Sequence, residues 1–598
     1  MSEHAKSDND ILYIGKSNFR GSEKIFGIKN KDRFQHMYVI GQTGTGKTSL
    51  LRNLAIQDIE AGRGIAVVDP HGEFVQSLLA AIPENRLKDV IYFNPIDTDY
   101  PIGFNILEVK NPEHKHLVSS GLMSIFTKIW ANVWSARMEY ILNNTVLALL
   151  DTPGTTLLGI PRMLVDKVYR QRIIDNCKDP VVRSYWINEY EQYQERFRTE
   201  AIAPIQNKVG QFLATHLIRN VVGQSKSSMD IESIMNEGKI LLVNVSKGLI
   251  GEDNSALLGA MLITKIQLAA MERVRIEKES ERRDFLLYVD EFQNFATDSF
   301  ASVLSEARKY RLGLVISHQY IGQLISMQAG GGGMSTKVRD AIFGNVGTMI
   351  TFRVGATDAE FLEVQFAPDL VAQDFVNIPN YNVYLRLMVD GFSTRAFSAY
   401  TLPPIELSAT PEQVKGIIAN SRKNYSRSRV QVEQDIADWS GMGSPRAAMP
   451  SPIPNLPSPL QARGTPSYGN MGQGGADEGE EGEIVKVAPP PVAYIKPKYE
   501  TNLMDLGIDV GDVPMPKEIK PDIPPPVSLD QMAQTGPQGP SGVRHKRKRK
   551  RRGGGGPGFD QSGLREALGS ALNPQPASAE SSGVAREEDY EDSEPDRP

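Results

Sequence analysis

The chain has 598 residues, and 27 of its 38 prolines fall in residues 403–598, so about 400 residues are left to form packed structure. Its single cysteine, Cys177, excludes an internal disulfide and fits a reducing compartment. The longest apolar stretch, residues 257–271, is broken by Lys265 and Gln267, and the first ten residues show no secretory pattern, which argues against a membrane-spanning or secreted protein. A formal net charge of -6 excludes a uniformly basic nucleic-acid coat and leaves local charge blocks to carry any such binding.

In chain order, residues 11–14 and 24–28 read as two short strands around the turn-rich GKSNFRGSE, a hairpin leading into the core. HMYVI (residues 36–40) is an apolar strand, followed by a glycine-rich loop and by residues 49–60, whose apolar positions 51, 54, 55 and 59 have helical spacing. The loop Gly41-Gln42-Thr43-Gly44-Thr45-Gly46-Lys47-Thr48, continued by Ser49, matches G-x-x-x-x-G-K-[ST] at every fixed position. Its glycines let the backbone amides and the helix N-terminus face phosphates. Lys47 is placed to reach the β and γ phosphates of ATP, and the Thr48 hydroxyl to ligate Mg2+. GIAVVD (64–69) and VIYFNP (90–95) read as buried parallel strands separated by a helical pattern over 74–81.

From residue 112 to 224 the pattern is helical almost throughout, an inserted all-helical domain. Its aromatic residues Trp130, Trp134, Tyr140 and Trp186 read as core rather than a base-stacking platform. Strand-like runs return at 239–245, 285–291, 312–319 and 347–354. FLLYVDE puts Asp290 where a Mg2+-organising carboxylate belongs, and Glu291 where a base can activate the attacking water. LGLVISHQ ends at Gln319, a candidate γ-phosphate sensor. Arg353, after the next strand, is a candidate arginine finger, with Arg308 and Arg311 as rivals. The run 330–333 of four glycines reads as a surface loop or a mobile pore loop. Residues 381–389 and 393–400 flank Asp390-Gly391, a hairpin signal. A helical extension is expected over 403–440. From about 441 the Pro/Gly-rich tail, with an acidic block at 477–483 and eight Lys or Arg among residues 544–552, is expected to be disordered. No histidine or cysteine spacing suggests zinc.

GQTGTGKT after HMYVI, then GIAVVDPHGE, YPIGFNIL, LLYVDEFQNF, SEARKYRLGL, SHQ and IFGNVGTMITFRVG together resemble the motor domain of TraD-type conjugative coupling proteins of the HerA/FtsK superfamily, over about residues 10–402. The resemblance implies an α/β fold: a RecA-like P-loop NTPase core with a mainly parallel sheet, divided as 1–111 and 225–402 around the helical domain 112–224. It also implies a ring, usually a hexamer, with DNA in the channel and ATP at subunit boundaries. By position, Lys47 and Thr48 match the family's first motif, Asp290 and Glu291 its second, and Gln319 the glutamine ending the next strand.

Coupling proteins of this type carry N-terminal transmembrane helices and this sequence shows none. The expectation is therefore a cytoplasmic DNA-translocating ATPase, recruited peripherally by a membrane-embedded secretion partner or working as a soluble pump. Other readings are a secretion ATPase for protein cargo or pilus assembly, and a nucleotide-dependent scaffold. The basic block suits nucleic acid, with an anionic membrane surface or the acidic blocks as competing partners.

Overall fold

The computed structural model describes residues 10–19, 22–327, 334–407 and 409–440. The glycine run 330–333, the acidic and basic blocks and the tail expected to be disordered lie outside the described residues. Among the described residues eleven strands join one sheet. In chain order they are β1 (Ile11–Phe19), β2 (Ser22–Lys29), β3 (Met37–Ile40), β4 (Gly64–Asp69), β5 (Val90–Phe93), β6 (Ile240–Asn244), β7 (Phe285–Val289) and β8 (Leu312–His318), then β11 (Thr348–Thr351), β12 (Asn382–Arg386) and β15 (Phe397–Thr401). The intervening labels belong to two small ribbons, β9 (Ser326–Met327) with β10 (Met334–Ser335), and β13 (Met388–Val389) with β14 (Phe392–Ser393). The order is β2-β1-β15-β12-β11-β3-β8-β7-β4-β6-β5. The seven strands from β11 to β5 are mutually parallel and the other four are antiparallel.

The continuous apolar runs of the central strands follow from burial on both faces. In β4, Ile65 and Val67 join one core with Leu50, Leu51 and Leu54 of α1 (Lys47–Glu60) and Phe74, Val75 and Leu78 of α2 (Glu73–Leu79). Ala66 and Val68 face the opposite core, which runs without a break into the helical block through Leu122, Ile125 and Phe126 of α3 (Lys115–Ile129) and Trp186. Alternation of side chains across each strand divides these residues between two layers. The all-helical region thus shares its core with one face of the sheet. Trp130, Trp134 and Trp186 are buried, as expected of core, while Tyr140 is exposed.

The helix Glu252–Glu272 contains the apolar stretch read in the sequence. With its extension to Arg275 it is long and apolar enough to cross a membrane, yet most of it is buried inside the fold, packed on α3.

Two further expectations change. The turn-rich residues 15–19 are strand, because β1 is paired on both sides, with β2 and with β15 (Gly15 to Thr401, Lys16 to Tyr400). The hairpin around Asp390-Gly391 is not one continuous pair. β12 pairs β15 in the main sheet, while β13 and β14 close separately around Asp390 (φ 52°) and Gly391 (φ 83°). The carboxylate of Asp32 draws this tip aside by accepting from both Asp390 N and Gly391 N.

The helical extension forms two helices, Pro411–Tyr425 and Arg429–Ser440. The first is started by a Thr410/Gln413 capping box. It lies along β5 at the sheet edge, where Tyr92 N donates to Ser421 Oγ at 2.9 Å. The second reaches the helical block, where Arg162 donates to the Trp439 carbonyl at 2.8 Å.

Candidate functional site

Strands β3, β7 and β8 are parallel neighbours in the order β3-β8-β7, so their C-terminal ends open on one edge of the sheet, beside the point where the chain changes direction along it. After β3 the chain turns through Gly41 to Gly46 into α1. Gly44 (φ 78°) and Gly46 (φ 118°) occupy backbone that side chains rarely adopt, and a Cβ on Gly46 would lie 2.9 Å from the Tyr381 ring. The amides of Thr43, Gly44, Thr45 and Gly46 donate to no acceptor among the described residues. Together with the first turn of α1, which contains no acidic residue, they form a concave surface of positive potential. Gln42, Thr43, Gly44 and Thr48 are exposed on it, Ser49 is half-buried, and Thr45 is buried with its hydroxyl on the Gln42 carbonyl at 2.7 Å.

Lys47 is 6% exposed, and its Nζ donates to the carbonyls of Gly41 (2.7 Å) and Gln42 (3.1 Å). Burial lowers the pKa of this ammonium, opposed by the charges of Glu291 and Asp290. Asp290, at the end of β7, accepts from Thr48 Oγ1 at 3.0 Å through one oxygen, and from Ser317 Oγ and its neighbour's amide, Glu291 N (2.9 Å), through the other. Burial pushes this carboxyl above its ordinary value, reinforced by Glu291 and Asp69 and resisted by the two hydroxyls.

Glu291 follows in left-handed backbone (φ 48°, ψ 49°), uncommon for a residue with a side chain and a form of strain that collects at functional sites. The turn leaves the carboxylate 7% exposed, with Gln319 Nε2 at 3.0 and 3.1 Å from its two oxygens and Gln293 Nε2 at 2.6 Å. Burial works against its charge, yet those amides, then Lys47 and His71, hold the carboxyl below the ordinary glutamate value. The result is a divided pair: Asp290 is desolvated against a hydroxyl, and Glu291 is kept ionised by neutral amides.

The structure thus brings Lys47, Thr48, Asp290, Glu291 and Gln319 together. Gln319 touches Glu291 directly, closer coupling than its position at a strand end implied. Arg353 stands on the other flank of β3, and its guanidinium is held by its own chain, on Gln42 Oε1 (3.3 Å), the Ile378 carbonyl (3.2 Å) and Asn380 Oδ1 (3.0 Å). Arg311 pairs with Asp284 and lies over Phe34. Arg308 is exposed, and its guanidinium makes no hydrogen bond or ion pair among the described residues.

Sequence reasoning missed Gln293 and Ser317, each two residues from a residue it had chosen. Among the described residues no group of three or more His, Cys, Asp or Glu could hold a metal ion.

The family model for the type IV secretion-system coupling protein DNA-binding domain matches residues 26–363, more than half of the chain. No curated protein matches. Among solved structures, the chain is similar to the plasmid coupling protein TrwB in complex with ADP and Mg2+ (15% identity, 67% of this chain and 91% of that one, TM-score 0.48). It is also similar to VirB4 of Thermoanaerobacter pseudethanolicus (13% identity, 68% and 98%, TM-score 0.45).

Proposed function

Because the chain belongs to the family of type IV secretion-system coupling proteins defined by this DNA-binding domain, we propose that it is a Mg2+-dependent ATPase that assembles as a ring, a hexamer by family resemblance, and drives DNA through its channel in conjugative transfer. The observation that carries this reading is the contact of Gln319 with both oxygens of Glu291, beside Thr48 on Asp290. It supports hydrolysis, since a loop that only bound nucleotide would have no use for a carboxylate held ionised and oriented next to it.

The loop amides from Thr43 to Ser49 and Lys47 bind the β and γ phosphates, with Lys47 exchanging its loop carbonyls for phosphate oxygens. Thr48 and Asp290 supply a hydroxyl and a carboxylate, hard oxygen donors that suit Mg2+, which on the phosphates would neutralise charge as the γ-phosphoryl group transfers. Glu291 orients the attacking water and takes its proton as the new O–P bond forms and the bond from the γ-phosphorus to the bridging oxygen breaks, leaving ADP. Gln319 relays the hydrolysis state from Glu291 into β8.

Arg353 would have to give up its three bonds to reach a neighbouring subunit, so in this reading it serves its own loop. Arg308 is the arginine free to act across a boundary. The ring works at the cytoplasmic side of the membrane beside a membrane-embedded partner, and the basic block 544–552 adds salt-sensitive contacts to DNA.

The test is steady-state ATPase of the full chain, alone and with single-stranded or duplex DNA across a salt series, against Lys47→Ala and Glu291→Gln. Stimulation by DNA that salt weakens and both variants abolish supports the motor. Lys47-dependent turnover indifferent to DNA moves the reading to protein cargo, and turnover that survives Lys47→Ala refutes the site.

A further inference from the structure

Tyr381 opens β12 on the flank of the phosphate loop opposite β8 and β7. Three features set it apart from a packing aromatic. Its backbone is left-handed (φ 64°), a strained state for a side chain of this size. That state is held by bonds on both sides, from Tyr381 N to the Thr45 carbonyl (2.9 Å) and to the Tyr381 carbonyl from Thr401 N (2.9 Å) and Thr401 Oγ1 (3.2 Å). The ring lies against the loop backbone itself, since a Cβ on Gly46 would meet Cδ1 at 2.9 Å and Cε1 at 3.4 Å. The residue is nevertheless 53% exposed, and its hydroxyl has no partner among the described residues. A strained backbone that holds an aromatic face open to solvent against the phosphate loop gains nothing for the core. Arg353 ties the same segment to the loop by joining Gln42 to Ile378 and Asn380.

We propose that Tyr381 is the platform for the nucleoside end of the bound nucleotide, its ring stacking on the purine base, with Arg353 as the positioning residue that fixes the Ile378–Asn380 segment beside it. The inference rests on the proposed nucleotide site. With the γ phosphate beside Glu291 and Gln319 on the β7 and β8 side, the other end of the triphosphate runs along the start of α1 toward β11 and β12, where Tyr381 stands. A stacked base would cover the exposed ring and account for the cost of its backbone.

The experiment is calorimetric titration of the full chain with a non-hydrolysable ATP analogue and with inorganic tripolyphosphate, both with Mg2+, for wild type, Tyr381→Gly, Tyr381→Phe and Lys47→Ala. Glycine takes the positive φ without steric cost, so Tyr381→Gly removes the ring and spares the backbone. Unchanged tripolyphosphate binding in that variant also reports an intact loop. The expected result is a loss of about tenfold or more in affinity for the ATP analogue in Tyr381→Gly, from the lost stacking. Tripolyphosphate should stay within about twofold of wild type, and Tyr381→Phe should bind both as wild type does. Unchanged affinity for the ATP analogue in Tyr381→Gly overturns the proposal, as does an equal loss for both ligands or a Phe variant as weak as the Gly variant. A wild-type chain that binds neither ligand, or binds both regardless of Lys47→Ala, overturns the nucleotide site itself, so the two failures are distinct.

Discussion

Replacing Gln319 by leucine removes the two contacts of 3.0 and 3.1 Å that orient Glu291 and keeps the strand-end side chain at similar volume. Glu291 is 7% exposed, so water does not freely replace the lost donor, and Gln293 remains on one oxygen only. A hydrogen bond to a charged group is worth about 1.5–3 kcal/mol, and about 1.4 kcal/mol is a factor of ten in rate. Gln319→Leu should therefore lower kcat by about 10- to 150-fold. Because Gln319 makes no hydrogen bond to the phosphate loop among the described residues, KM should move less than about threefold.

The sign with pH follows from the carboxyl. Its pKa is held below the ordinary value against burial, so losing an amide donor raises it, and the acid limb of the kcat/KM profile moves to higher pH. The deficit therefore widens as pH falls. The assay is steady-state ATPase over a pH series with wild type as reference. A fall in kcat matched by an equal rise in KM, or an acid limb that stays in place, would refute the assignment of Gln319 to Glu291 and return it to a plain strand terminus.

Asp290→Asn should abolish ATPase while raising the melting temperature at neutral pH. Burial raises this carboxyl above its ordinary value, so its ionised form costs stability that grows as pH rises past that value, and calorimetry should show the gap closing in acid. Lys128 of α3 donates to the Gln293 carbonyl at 2.5 Å, and burial pushes it down to about 7 despite the charge of Asp298. Wild-type stability gains from Lys128 as pH rises from about 7 toward the unfolded value of 10.5, so in chemical denaturation any advantage of Lys128→Met should be largest near neutral pH and shrink above it. Arg33→Met should destabilise by about 3–5 kcal/mol in urea melts. It leaves the fully buried Asp58, now bonded at 2.6 and 2.7 Å by Arg33, with only Arg63 and Tyr288, and a loss under about 1 kcal/mol would show that those two suffice.

Much of the fold is legible because the hydrophobic pattern is local. Runs such as GIAVVD and FLLYV have the pattern of strands covered on both faces, and residues 49–60 have helical spacing after a loop. Lys47, Thr48, Asp290 and Glu291 are legible for a related reason: phosphate cradling by backbone demands glycines at set positions, and a buried strand ending in Asp-Glu stands out from its neighbours. The extent of β1 is not legible, since GKSNF has turn composition and becomes strand by pairing with β2 along its length and, over Gly15–Ser17, with β15 almost 400 residues away in sequence. The closing hairpin depends on distant residues in the same way, because the amides at its tip donate to Asp32, far upstream.

The site divides along the same line. Residue type and short spacing are enough to single out side chains with the chemistry for phosphate and a proton. Which of them touch one another depends on how distant strands are brought side by side. Sheet order places β8 between β3 and β7, so Gln319 and Ser317 meet Glu291 and Asp290, and Arg353 is engaged by its own loop. The start of β12, whose neighbour β11 pairs with β3, sets Tyr381 against Gly46. Strand order is fixed by the packing of the whole sheet and leaves no trace within any one segment. The contacts it creates are therefore the part of the mechanism that residue patterns could not disclose.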